Sequence, residues 1–333
     1  MKLAVVGAGS IGGLLGARLS LAGEDVTFVA RGANLAAIGS QGFRLIQEDG
    51  SEQVAKDARA CPIDECGPQD AVLLAVKAHQ VGPVAPTLGR LLGPDTSVVT
   101  LQNGIPWWYF HKLAGPYEDH PVRAADPDGV IAANIENQRI IGTVVYAASE
   151  LVAPGVVKVA EGNRFTLGEP DGSRSERVQQ LSETLTRAGF KAPISTDLRS
   201  EIWLKLWGNV VFNPVSALTH ATLSSICGFE PTRALAEAMM VETRAVAEKL
   251  GVRFRITIDK RIAGAAAVGE HKTSMLQDVE AGRPLELAAL VGSVVEMARL
   301  TDTPTPHIDA VYAVTSLLAK TLSDAGGHLQ VQR

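Results

Sequence analysis

The sequence predicts an α/β domain built on a parallel sheet, followed by an all-helical domain. Three observations carry that prediction. From Met1 to about Phe110, short apolar runs alternate with glycine-marked turns and helix-length amphipathic stretches, the rhythm of βαβ units. From Asp197 onward the texture changes to long alanine- and leucine-rich segments with few strand-like runs. The chain has 333 residues, more than one hydrophobic core usually supports. We place the boundary near 196, giving domains 1–196 and 197–333, with Asp197 as a plausible N-cap for the helix that opens the second.

Taken in order, Lys2–Val6, Asp25–Ala30, Ala71–Val76 and Ser97–Leu101 are apolar runs of the kind a strand buried on both faces requires. Thr143–Glu150 and Val156–Val159 are extended stretches joined by Ala153-Pro154-Gly155, a turn sequence, and are expected to lengthen the same sheet. The helical candidates of the second domain are 198–220, 231–250, 284–300 and 308–323.

Composition excludes several classes of function. Hydrophobic residues make up 46% and charged residues 20%, which fits a chain that folds on its own core. A net charge of −5 lacks the basic excess that phosphate-backbone binding needs, so nucleic acid is not an expected partner. Cys61, Cys66 and Cys227 show no metal-ligand spacing, so neither a disulfide framework nor a zinc site is indicated and a reducing cytoplasm fits. The seven histidines show no pairing that suggests a metal. Leu3–Ile11 is broken by glycines and lacks a cleavage site, and no run of eighteen apolar residues would span a membrane.

Gly7-Ala8-Gly9-Ser10-Ile11-Gly12 follows the first strand and opens a helix running to about Ala22, the context a dinucleotide-binding (Rossmann) fingerprint demands. The first glycine makes the turn, the second admits the pyrophosphate, and the third lets helix and strand pack. The helix N-terminus then offers free amides and a positive dipole end to the phosphates. Where NAD enzymes place an acid, this chain has Arg31. A guanidinium grips a 2′-phosphate that a carboxylate would repel, so NADP (NADPH) is the expected cofactor. Lys77 ends the third strand, at the carboxyl edge where ligands of open α/β sheets bind.

In Glu201–Pro214, Lys205, Asn209 and Asn213 recur every four residues and form one polar stripe on a helix otherwise rich in Leu, Val and Trp. A solvated face would carry Glu, Lys and Arg rather than two asparagines, so this face reads as a pocket lining. Ser274-Met-Leu-Gln277 fits a capping box, a structural use of Ser274. Pro284 reads as a first helical residue, placing Glu286 in the first turn. A helix N-terminus favours an anionic carboxylate, which makes Glu286 a poor general acid and Lys205 the better one.

These motifs resemble those of ketopantoate (2-dehydropantoate) reductases over nearly the whole chain. The matching features are Gly7–Gly12, Arg31, the strand ending at Lys77, Leu101-Gln-Asn103-Gly104, the Lys205/Asn209/Asn213-Pro214 helix, and His271-Lys-Thr-Ser274-Met-Leu-Gln-Asp278 followed by Glu286. The resemblance implies an N-terminal Rossmann domain and an all-α domain like the C-terminal one of 6-phosphogluconate dehydrogenase. It implies that Lys205 donates the proton and anchors the substrate carboxylate, that Asn209, Asn213 and Ser274 hold substrate, and that Glu286 closes the catalytic site. Asn103 would lie by the nicotinamide ribose and the substrate, and Lys77 and Ala148 would touch the cofactor. The implied reaction is reduction of a small 2-keto acid by NADPH, most simply ketopantoate to pantoate in pantothenate and coenzyme A synthesis.

The chain departs from the family at Trp107-Trp108-Tyr109-Phe110, Leu223 and Leu287-Ala288. The aromatic run reads equally as a pocket wall or as a Pro106-started helix packing on the domain interface. The departures keep a second reading open, a reductase of another branched or aryl 2-keto acid. A protein that senses NADPH without turnover is a third, opposed by the intact Lys205, Asn209, Asn213, Ser274 and Glu286; a β-hydroxyacid dehydrogenase fits the helix pattern less well. The sequence leaves the oligomeric state open, a homodimer included.

Overall fold

The structure, a computed structural model, describes residues 1–328 and divides into two compact units. One comprises residues 1–102, 107–121 and 126–198; the other comprises 103–106, 122–125 and the chain from Arg199 onward.

The first unit is built on nine strands: β1 (Lys2–Val6), β2 (Asp25–Val29), β3 (Phe43–Ile46), β4 (Glu52–Ala55), β5 (Arg59–Cys61), β6 (Gln69–Leu74), β7 (Leu92–Thr100), β8 (Ile140–Ala153) and β9 (Val156–Gly168). Their order in the sheet is β4-β3-β9-β8-β7-β6-β1-β2-β5. With them go α1 (Ser10–Leu21), α2 (Gly32–Gln41), α3 (Ala78–Val84), α4 (Val130–Asn134) and α5 (Glu176–Arg187). From β8 across to β5 every pairing is parallel, as the βαβ rhythm requires. The β8–β9 and β3–β4 pairs are antiparallel, so the expected parallel sheet is a mixed one. β8 and β9 do extend it through the anticipated hairpin.

Helix α1 lies close on this sheet because it has no side chain where contact is tightest. A Cβ on Gly13 would sit 2.4 Å from the Phe43 ring, and one on Gly16 would sit 2.3 Å from Phe28. Those two rings stack at 4.8 Å and are fully buried. Each buries a large apolar surface, so the interlock of glycines and rings fixes how the start of α1 stands at the end of β1.

Two expectations for this unit are corrected. Cys61 and Cys66 form a disulfide across the short turn after β5; the ligand-spacing rules applied to the sequence do not describe so local a pair. Residues 107–112 form turns rather than a helix opened by Pro106. Trp108 is buried against Gly142, where a Cβ would come within 2.5 Å of the indole, and its Nε1 donates to Thr100 Oγ1 at 3.1 Å. Tyr109 and Phe110 meet edge to face at 5.0 Å, and Phe110 also packs on Tyr117 and His120.

The second unit is helical: α6 (Leu198–Thr219), α7 (Leu223–Gly228), α8 (Glu230–Lys249), α9 (Ile258–Ala267), α10 (Ser274–Glu280), α11 (Ser293–Leu300) and α12 (Pro306–Asp324). α6 opens one residue after Asp197. Its Trp203 and Trp207 are buried, and Trp207 Nε1 donates to the Met240 carbonyl of α8 at 2.8 Å. Met239 and Met240 are core residues. Glu242 on α8 caps α12, accepting from the amides of His307 at 3.1 Å and Ile308 at 3.0 Å. The helix expected from Pro284 begins instead at Leu287, with a π turn over Ala288–Gly292 leading into α11. Among the described residues there is no metal-ligand cluster, and no helix is long and apolar enough to cross a membrane.

Candidate active site

In the first unit the candidate cofactor residues gather at the carboxyl ends of adjacent parallel strands. β1 runs into Gly7, β2 into Arg31 and β6 towards Lys77, and β1 pairs with both of the others. Gly7 has φ +105°, which favours glycine, and a Cβ there would lie 2.8 Å from Val76 Cγ1. A Cβ on Gly12 would fall 2.0 Å from the Gly7 carbonyl oxygen. The backbone itself therefore accounts for the first and third glycines.

Gly9 is different. Its φ is −85°, and a Cβ on it would meet nothing within 4 Å. Neither strain nor packing asks for glycine here, and the open space lies at the N-cap of α1. The first turn of α1 carries no acidic residue and no side-chain cap. Helix-terminal amides, a positive dipole end and cleared space fit an incoming diphosphate.

Arg31 is exposed at the N-cap of α2, with no acidic residue in that helix's first turn. Lys77 is the N-cap of α3, its amide donating to Gln80 Oε1 at 3.1 Å. Ala148 sits at a register shift in β8, and the next residue, Ser149, donates from its hydroxyl to the Ser10 carbonyl at 2.9 Å. That bond brings the irregular stretch of β8 to the first turn of α1.

In the second unit, Lys205, Asn209 and Asn213 lie along one face of α6. Lys205 Nζ donates to Asn103 Oδ1 at 2.6 Å, across 102 positions of sequence. Burial lowers Lys205 from the ordinary lysine range to about 8, against the opposing pull of the Glu286 charge. Lys205, Asn103 and Glu286 thus share one electrostatic neighbourhood. Asn209 is half-buried, and Asn213 is buried with its Nδ2 meeting no acceptor among the described residues. A buried amide donor without a protein acceptor is costly, and it suits a position that donates to a ligand.

Two local readings change. Thr273, not Ser274, caps α10, its hydroxyl accepting from Leu276 N at 3.2 Å. Ser274 is the exposed first residue of that helix, its hydroxyl not used as the cap. Glu286 stands immediately before the helical run rather than in its first turn, and its carbonyl accepts from Leu290 N at 3.2 Å. Leu223 is the first residue of α7, capped by Thr222.

Several supporting residues went unnoticed in the sequence. Asn34 on α2 donates to the Ala8 carbonyl at 3.2 Å and accepts from Gly155 N at 3.0 Å, tying the glycine loop to the β8–β9 turn. Gln102 donates to the carbonyls of Leu74 at 2.7 Å and Val76 at 2.9 Å, fixing the strand end that leads to Lys77. Glu296 on α11 accepts from the amides of Arg123 at 2.8 Å and Ala124 at 2.6 Å, which binds 122–125 into the second unit. Only Gln102 stood inside a recognised motif, next to Asn103.

The same two-part arrangement appears in known proteins. The family model described as ketopantoate reductase PanE/ApbA matches residues 3–172, and its C-terminal counterpart matches 197–319. A 2-dehydropantoate 2-reductase of Mesorhizobium japonicum is 56% identical over 320 residues, covering 96% of this chain and 98% of the relative. One from Halobacterium salinarum is 28% identical, covering 92% and 95%. Among solved structures, a candidate ketopantoate reductase from Ralstonia solanacearum superimposes with a TM-score of 0.91 at 40% identity, covering 97% of this chain and 98% of the other. With a fingerprint loop, a lysine–asparagine helix and matches that span both units, the chain belongs to the ketopantoate reductase (PanE/ApbA) family.

Proposed function

We propose that this protein reduces the keto group of 2-dehydropantoate to give pantoate, with NADPH as reductant. The observation that carries the reading is the Lys205 ammonium held on Asn103 Oδ1 at 2.6 Å, with burial lowering its pKa to about 8. A proton donor works best with a pKa near the working pH, and a lysine in the ordinary range would be a weaker acid.

The bound nicotinamide would supply a hydride to the keto carbon. Lys205 would protonate the oxygen as negative charge develops there and would also face the substrate carboxylate. Asn103 takes one of the three ammonium hydrogens and so orients the others. Asn213 offers its buried amide donor, and Asn209 and Ser274 offer further polar contacts. Glu286, whose charge opposes the loss of the lysine proton, acts as counter-ion rather than proton donor. In the first unit, Gly7–Gly12 would admit the diphosphate, Arg31 would grip the 2′-phosphate, and Lys77 and Ala148 would line the cofactor.

Trp108, Tyr109 and Phe110 lend no special support to an aryl substrate, since they are taken up in packing. The test is to incubate the protein with NADPH and 2-dehydropantoate and to identify the product by mass spectrometry. Pantoate formed in step with NADPH loss supports the reading, and NADPH that persists at high enzyme concentration overturns it.

A further inference from the structure

The π turn ahead of α11 changes which backbone groups are available beside the lysine. In an α-helix the amide of Ser293 would bond the Ala289 carbonyl, four residues back. Here it bonds the Ala288 carbonyl instead, five residues back. The Ala289 carbonyl is released from that amide and accepts two other donors, Ile105 N at 3.1 Å and the Ser293 hydroxyl at 2.6 Å. Gly104 has φ +94°, and a Cβ on it would lie 2.1 Å from the Ala289 oxygen. Residues 103–105 are therefore seated on this carbonyl by a hydrogen bond on one side and a glycine-only contact on the other. The residue that begins this seated segment is Asn103, the acceptor of Lys205.

We infer that the π turn, acting through the Ala289 carbonyl and the Ser293 hydroxyl, is the element that holds Asn103 against Lys205. Ser293 and Gly104 are then positioning residues for the proton donor. π turns are rare inside α-helices, and they recur at functional sites. Its use here is specific, because regular α geometry would add the Ser293 amide as a donor to the Ala289 carbonyl, in competition with Ile105 N. The amide oxygen of Asn103 stabilises the charged lysine against its burial. Loosening 103–105 removes that stabilisation and disorders the direction of the N–H bonds.

The inference rests on the proposed role of Lys205, and the experiment separates the two. The pKa of Lys205 is measured in the cofactor-free protein by competitive acetylation with acetic anhydride across a pH series, read by peptide mass spectrometry. The variants are Ser293→Ala, Gly104→Ala and Ser293→Thr, each also melted thermally and assayed with NADPH and 2-dehydropantoate. Ser293→Ala and Gly104→Ala should lower the Lys205 pKa, shift the alkaline limb of the kcat/KM profile to lower pH, and reduce kcat about tenfold or more, as expected for a displaced catalytic group. Ser293→Thr keeps the hydroxyl and should keep the wild-type pKa. A labelling pKa that stays put or rises in Ser293→Ala, whatever happens to Tm, overturns the inference. Should Gly104→Ala not fold, Ser293→Ala decides alone, because it removes a single hydroxyl. Labelling needs no turnover, so a wild-type protein that fails to reduce the keto acid counts against the proposed function and not against the positioning.

Discussion

Replacing Gly9 by alanine should separate folding from cofactor binding. The residue has φ −85°, which alanine adopts freely, and its added Cβ would meet nothing within 4 Å. Alanine is a poorer N-cap than glycine, at a cost of about 0.5–1 kcal/mol. Losing glycine's freedom in the unfolded chain returns about 0.4–1 kcal/mol, so the net change in stability should lie within roughly 1 kcal/mol of zero. The same methyl group would stand where a diphosphate must approach the α1 amides. Loss of one charge-assisted hydrogen bond costs about 1.5–3 kcal/mol, or roughly ten- to a hundredfold in affinity. A fluorescence titration with NADPH and a thermal melt read the two quantities. Gly12→Ala is the contrasting control: its Cβ would lie 2.0 Å from the Gly7 oxygen, so it should lose stability outright. NADPH binding within about threefold of wild type in Gly9→Ala, a difference of roughly 0.7 kcal/mol, would refute the reasoning. So would a loss of Tm as large as that of Gly12→Ala.

Lys205→Met should reduce kcat by about a hundredfold or more while NADPH still binds, as measured by steady-state kinetics and titration. Because burial lowers Lys205 to about 8, the folded chain binds that proton less tightly than the unfolded chain, which costs stability below that pH and is relieved as pH rises through it. The methionine variant should therefore melt no lower than wild type at neutral pH, and wild-type kcat/KM should fall as pH rises through about 8. Arg31→Ala should raise the KM for NADPH about ten- to a hundredfold and leave NADH nearly unchanged, the difference made by one charge-assisted contact; equal losses with both cofactors would count against it. Asn213→Leu removes a buried donor that has no acceptor among the described residues, so it should raise Tm while raising the KM for the keto acid. A fall in Tm with unchanged KM would make Asn213 a structural residue.

What could be read from the sequence was what is local. The β1–glycine loop–α1 unit was legible because turn, phosphate approach and packing fall within six residues, and the α6 stripe because a helix repeats its face every fourth position. Strands β3, β4 and β5 went unseen: they are short, and β4 has three exposed residues, so no apolar run marks them. The mixed sheet follows from pairings, such as β3 on β9, that no local pattern encodes. The start of α11 was misplaced at Pro284 because a proline signals a possible first turn without enforcing one. The π turn has no signature of its own in Leu-Ala-Ala-Leu-Val-Gly. The contact of Lys205 with Asn103 spans 102 positions, and spacing alone could not have brought the two together; only the family resemblance placed both at one substrate.

The most direct measurement of the central claim is kcat/KM for 2-dehydropantoate with NADPH, set beside a panel of branched and aryl 2-keto acids under the same conditions. Since Trp108, Tyr109 and Phe110 are occupied in packing, the account predicts that 2-dehydropantoate is the best substrate, ahead of every panel member by more than about tenfold, or roughly 1.4 kcal/mol in transition-state binding. An aryl or other branched 2-keto acid that matches or exceeds it would contradict the assignment and would make the departures at Leu223 and Ala288 matters of substrate selection.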